Sequence, residues 1–224
     1  MTYSRSSQTP CEIKYIDTEQ SFWNVPHITG NWTDATNANP VAENCLFVPL
    51  EGNDINNRIG RRCRVLSLNI QGFFNANGQV SQSTADDPCL IRLVLVLDKQ
   101  ANASAISPSQ VIQSGTAVNP TIMFPNYTYL TRYEILHDGM YRLYNPTISF
   151  KHSTNLIYQS GLATTFQFSF VPNFPFYVHF NNDPGNDHDY RTIVDNSFSL
   201  LCCCNNDDLL PTLSYKCRVA FCDE

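Results

Sequence analysis

From Leu66 the chain alternates strictly. Leu66, Leu68 and Ile70 point one way, and Ser67, Asn69 and Gln71 the other. That is the period of a strand with one buried face. Residues 89–100, CLIRLVLVLDKQ, are denser. Ile91, Leu93, Leu95 and Leu97 line one side, while Val94 and Val96 sit on the other between Arg92 and Asp98. Apolar residues on both sides predict an inner strand covered on both faces for part of its length. Further strands follow by the same rule. Arg132–His137 and Met140–Tyr144 flank Asp138-Gly139, a pair that predicts a two-residue hairpin turn because both central positions of a type I′ turn need positive φ. Phe166, Phe168 and Phe170 alternate with Thr165, Gln167 and Ser169. Phe174, Phe176, Val178 and Phe180 share a face, as do Phe198, Leu200, Cys202 and Cys204. In the last strand Leu213, Tyr215, Cys217, Val219 and Phe221 face inward, and Ser214, Lys216 and Arg218 outward. Helical periodicity is almost absent. Ser107-Pro108, an N-cap followed by proline at the first helical position, predicts one short helical turn through Gln113.

These make eight strands joined by long loops at 76–88, 99–130, 151–164 and 181–195. The pattern predicts an all-β fold, an eight-stranded double-sheet jelly roll with long loops. An immunoglobulin-like sandwich is shorter and has no need of such loops. Residues 1–57 carry one strand-like stretch, Glu12–Asp17, and are expected to form an extended N-terminal arm, with 58–224 as the jelly-roll domain.

With 224 residues, 42% of them hydrophobic, the chain can bury a substantial core. Charged residues are only 15%, below the usual quarter, which predicts a surface largely covered by partners. No apolar run approaches the length of a spanning helix, so no membrane insertion is expected, and MTYSRSSQTP has none of the features of a signal peptide. Nine cysteines, an odd number, without such a peptide argue against a disulfide framework and for thiols packed as small hydrophobes in a reducing compartment.

The net charge of −6 disfavours nucleic-acid binding by the whole surface, yet four of the fourteen Lys and Arg residues, Arg58, Arg61, Arg62 and Arg64, fall within seven positions. Two roles remain open for them. They are phosphate contacts, or they pair with carboxylates, either on a neighbouring subunit or at Asp54 and Asp98. The run NNDPGNDHD at 181–189 offers oxygen ligands and His188, but no EF-hand spacing, and reads as a solvated loop. Cys202–Cys204 with Cys217 and Cys222 fit no common zinc spacing, so no metal site is expected. No nucleophile-elbow, Walker, HExxH or dinucleotide motif occurs. His137-Asp138 lies in the predicted turn, so no catalytic residue is assigned and no cofactor is expected. His27, His152 and His179 are the histidines whose protonation could make an assembly pH-sensitive.

EIKYID at 12–17, RIGRR at 58–62, RLVLVLDKQ at 92–100 and the terminal RVAFCDE at 218–224 together resemble the capsid proteins of circular Rep-encoding single-stranded DNA viruses, the circovirus-like and geminivirus-like coats. The motifs stand in the same order over nearly the whole chain. Asn102 lies one position later than that pattern places it. The resemblance implies a jelly-roll subunit that self-assembles, about 60 copies to an icosahedral shell around circular ssDNA. It implies a location in the virion, and in the host nucleus or cytoplasm during assembly. The implied partners are other copies of the chain, the viral ssDNA and a host-cell receptor. Such coats begin with a long arginine-rich arm that neutralises the genome. Before Arg58 this chain has only Arg5 and Lys14, so the expectation is that a basic arm has been removed ahead of Met1. The DNA-contacting residues expected within the chain are Arg5, Lys14, Arg58, Arg61, Arg62 and Arg64. A lectin-like or receptor-binding β sandwich working as a small oligomer is the alternative.

Overall fold

The computed structural model describes residues 11–25, 45–75, 89–102, 106–113, 123–143, 163–181, 192–205 and 211–223. Its strands are β1 (Lys14–Asn24), β2 (Arg62–Asn75), β3 (Cys89–Asp98), β4 (Tyr133–Leu143), β5 (Thr164–Phe170), β6 (Phe176–Phe180), β7 (Ile193–Asp195), β8 (Ser197–Cys204) and β9 (Thr212–Asp223). They form two antiparallel sheets. Sheet A runs β1-β9-β2-β6-β7, with β5 also on β2, and sheet B runs β4-β3-β8. Cys45 bridges to Ser199, and Leu46 N–H donates to Phe198 O, so the segment at 45–46 borders β8 on its far side. The chain therefore passes repeatedly between two facing sheets, in an all-β, jelly-roll-like order.

The alternation explains the layers. Cys63, Val65, Leu68, Ile70 and Phe74 of β2 pack on Ile91, Leu93, Leu95 and Leu97 of β3, together with Leu213, Tyr215, Cys217, Val219 and Phe221 of β9. The inward row of β2 changes parity at a β-bulge. Val65 lies opposite Phe221 and Ser67 opposite Ala220, leaving Leu66 as the extra residue. Leu66 is accordingly half-buried, and Cys63 and Val65 take the core positions ahead of it. β5 and β6 lie one after the other along the same edge of β2, at Leu68–Phe74 and Arg62–Val65. Gly72 allows this packing: a Cβ there would lie 2.4 Å from Ser214 O and 2.7 Å from Phe166 Cζ.

β3 is covered on both faces, as its sequence predicts. Behind it, Val94, Val96, Leu201 and Cys203 form a second cluster with Ile106, Val111, Ile112 and Tyr133. The connection after β3 lays itself over sheet B to build that cover. It contains the expected helical turn (α1, Pro108–Val111), with proline at its start. Ser107 lies at the N-cap position but makes no side-chain cap bond; its Oγ is 3.0 Å from Ser109 Oγ.

Four expectations are corrected. Asp138-Gly139 is not a turn, because β4 runs straight through it opposite Val94 and Leu93. Gly139 lacks positive φ. It is glycine because a Cβ would lie 2.6 Å from His137 Nε2 and 2.8 Å from the Tyr141 hydroxyl. Asp138 is there to hold Arg92 in a bidentate pair at 2.8 and 2.6 Å. Phe174 is exposed rather than sharing the buried face of β6. β7, with three residues, is a strand that alternation did not reveal. Within the stretch expected as an arm, β1 is a full member of sheet A, paired with β9 from Lys14–Phe221 onward, and Leu46 and Phe47 are core.

Candidate functional site: a cationic end of sheet A

Three of the four motif segments meet at one end of sheet A. β1 begins there, β2 begins there and β9 ends there. Lys14 Nζ, from the first motif, lies 2.6 Å from Asp223 Oδ2, from the last, across 209 positions of sequence. Cys63 Sγ donates to the other oxygen of Asp223 at 3.5 Å. Lys14 also donates to Asn57 O at 2.7 Å. It is buried and ion-paired, and it ties β1 and the backbone at Asn57 to the end of β9.

Arg58 is likewise structural. It is 1% exposed. Its Nη2 lies 3.0 Å from Glu51 Oε2, its Nη1 donates to Gly60 O at 2.8 Å, and its guanidinium stands 4.8 Å over the Phe180 ring. A cation this deep is tolerated only when so many groups answer it. The carboxylates expected as partners are engaged elsewhere. Asp54 accepts from Asn57, and Asp98, wholly buried, is held by Arg132 at 2.9 and 2.8 Å.

Arg61 and Arg62 remain exposed at the same end. The Arg61 carbonyl accepts from Phe180 N–H at 2.8 Å, which fixes its backbone. The Arg62 guanidinium lies 4.3 Å over the Tyr177 ring. The register places Arg62 opposite His179 and Arg64 opposite Tyr177. His179 Nδ1 sits 2.8 Å from Asp195 Oδ1. Arg64 is half-buried. Arg5 lies outside the described residues, as do His27, His152 and residues 182–189 of the Asn/Asp run. Of the six expected DNA contacts, the structure brings five to one end and divides them. Lys14 and Arg58 are buried and ion-paired, although Arg58 Nε has no hydrogen-bond partner, and Arg61 and Arg62 are exposed. Tyr177 and Phe180 are the residues that motif reading missed. Alternation in β6 places Tyr177 outward, but its pairing with β2 has no signature in sequence.

Beyond this end, the outer face of sheet A is polar. Asn69, Gln71 and Gln167 with Lys216 and Arg218 line a groove of 370 Å³, continuous through Gln71, Gln167 and Lys216 with one of 620 Å³. Arg218 is paired with Asp17 at 2.7 Å through two nitrogens, and Lys216 lies within 3.6 Å of Asp17 and 3.9 Å of Glu19. Those four charges cancel. The guanidinium beside Asp17 holds its carboxyl below the ordinary 3.8.

Most of the cysteines are packed thiols. All nine are reduced and eight are buried. Burial pushes Cys203 and Cys217 up to about 12, where the reactive thiolate is negligible at neutral pH. Among the described residues no group of His, Cys, Asp and Glu is arranged to hold a metal, and no helix is long and apolar enough to cross a membrane. No protein-family model matches the chain, and no curated protein matches its sequence.

Proposed function

We propose that this chain is a viral coat subunit, about 60 copies of which close into a small icosahedral shell around circular ssDNA. The observation that carries the reading is the end of sheet A. Three separated motif segments converge there in a jelly-roll-like sandwich and leave Arg61 and Arg62 outward, Arg62 backed by the Tyr177 ring. An exposed arginine held against an aromatic ring puts positive charge beside a stacking surface, which suits single-stranded nucleic acid. The residues of this sequence sum to −6, so within them a phosphate contact falls to a local cationic end of this kind, beside the basic arm that the resemblance implies ahead of Met1. The low content of charged residues also fits a subunit whose flanks are buried against neighbours.

Electron microscopy of the purified protein is expected to reveal closed shells of uniform diameter; a monodisperse monomer or trimer across salt and pH overturns the reading. For the DNA contact, Arg61→Ala with Arg62→Ala is expected to lower the nucleic acid recovered per shell. It should also flatten the salt dependence of ssDNA binding by about 0.7 unit of log–log slope per phosphate contact removed. Unchanged packaging and slope would take both arginines out of that role.

The amide-lined groove on sheet A favours a second reading, a lectin-like binding module. It predicts a discrete small oligomer with saturable glycan binding that Gln71→Ala weakens.

A further inference from the structure

β2 breaks its own alternation once, and the break gives its polar row a single face. Ahead of the bulge, Cys63 and Val65 take the core, which leaves the even-numbered Arg62 and Arg64 for the outer side. Beyond it, Leu68 and Ile70 take the core, which leaves the odd-numbered Ser67, Asn69, Gln71 and Phe73. An unbroken period of two would set the arginines and the amides on opposite faces of the sheet. The extra residue, Leu66, puts them on the same one.

Strand register extends this row sideways. At the cationic end, Arg62 and Arg64 lie opposite His179 and Tyr177 of β6. Further along, Asn69 lies between Arg218 of β9 and Ser169 of β5, and Gln71 between Lys216 and Gln167. Phe73, 37% exposed, follows between Ser214 and Thr165. The carboxylates beside the groove, Asp17 and Glu19, are one strand further out on β1. Arg218 and Lys216 stand between them and the β2 row, paired to them. A polyanion lying along β2 therefore meets cations before carboxylates on that side.

An extended single strand of nucleic acid makes three demands. Its phosphates need cations, its base edges need donors and acceptors together, and its bases need rings to stack on. The β2 row supplies arginines at one end, side-chain amides along the middle, which donate and accept at once, and a ring at each end, Tyr177 and Phe73. From Arg62 to Phe73 it spans roughly 35 Å at the usual rise of a strand, room for several nucleotides. We propose that the outer face of sheet A is a track for ssDNA, entered at Arg61 and Arg62 and continued through the groove at Asn69, Gln71 and Gln167 to Phe73. This rests on the coat reading and deepens it. It turns sheet A of each subunit toward the packaged strand, and it gives the bases, as well as the phosphates, a place on the protein.

The test uses the full chain and oligothymidine of about ten nucleotides with iodouracil in place of some thymines. Asn69→Ala with Gln71→Ala is expected to keep the wild-type melting transition and the shells. It should weaken oligothymidine binding about tenfold with an unchanged salt slope, because hydrogen bonds to bases are lost and phosphate contacts are not. Phe73→Ala is expected to weaken binding by about the same factor. In the wild type, photocrosslinking is expected to label the peptides that hold Tyr177 and Phe73. Unchanged binding by the amide variant, or label at Tyr177 alone, overturns the proposal and leaves the arginine contact standing. So does saturable glycan binding that the amide variant abolishes and oligothymidine does not displace, which assigns the groove to a sugar. Absence of shells from the wild type counts against the coat reading itself and takes this inference with it.

Discussion

Behind β3 and β8, Val94, Val96, Leu201 and Cys203 lie under Ile106, Val111, Ile112 and Tyr133, with Arg92 and Asp98 buried and paired at the margins. Behind β2 and β9, the equivalent positions are Asn69, Gln71, Lys216 and Arg218, open to a groove. The two sheets share one core and treat their outer faces in opposite ways. Sheet B is covered by residues of the chain's own connection after β3, whereas among the described residues the outer face of sheet A is open. The difference is written in the strands as continuous apolar runs against alternation. It teaches that long loops in such a chain are not uniformly surface: one of them is the third layer of the fold.

The sealed face should break first and hardest. Arg132→Ala leaves the carboxylate of Asp98 wholly buried without its bidentate cation, though the Gln100 N–H still donates to it. A loss of about 3 kcal/mol is expected in urea unfolding; a loss under about 1 kcal/mol would mean that the pair behaves as a surface ion pair. Ile112→Ala, which empties a fully buried position in the covering loop, is expected to cost about 2–4 kcal/mol. Were the cover only loosely laid on the sheet, the same substitution would be nearly silent. On the open face, Gln71→Ala should change stability by no more than about 0.5 kcal/mol. A larger destabilisation would show that the groove is filled by the chain itself.

Two pH effects are smaller still. Between the sheets, burial holds the imidazole of His137 below its ordinary 6.5 while it stacks on Phe168 at 3.9 Å. The folded state binds this proton less readily than the unfolded chain. Its contribution to stability is therefore present above pH 6.5 and lost as pH falls below it toward the folded value. His137→Phe should flatten the melting temperature across that window, and an unaltered slope there would exclude His137 as its source. On the open face, Asp17 is held below 3.8 by Arg218, so its contribution is present above that value and fades as pH falls through the lowered one. Arg218→Ala should remove that slight acid dependence without altering the melting curve at pH 7.

Much of the sandwich was legible because alternation is a local property. Ile91–Leu97 and Leu213–Phe221 follow it without exception, and both are core. The errors fall where a distant partner decides. Leu66 is displaced by a bulge that exists only because β2 pairs with β9. Asp138-Gly139 carries the composition of a turn, but Arg92 and the His137–Tyr141 contact account for those two residues within a strand. At the cationic end, the cluster of arginines was visible, but not their division. Glu51, Phe180 and Tyr177 decide which guanidinium is buried and which is presented, and their proximity comes from strand pairing.

By itself, the sequence determined the all-β class, the doubly covered β3 and the inward rows of β9, because a strand's period and the cost of burying polar groups are read residue by residue. Only the tertiary structure decided that β1 belongs to sheet A, that residues 106–112 cover sheet B, and that Arg58 is an anchor while Arg61 and Arg62 are exposed. The charge of an arginine is fixed by its chemistry. Whether that charge is available depends on carboxylates, carbonyls and rings brought to it from far along the chain, and no local pattern encodes them.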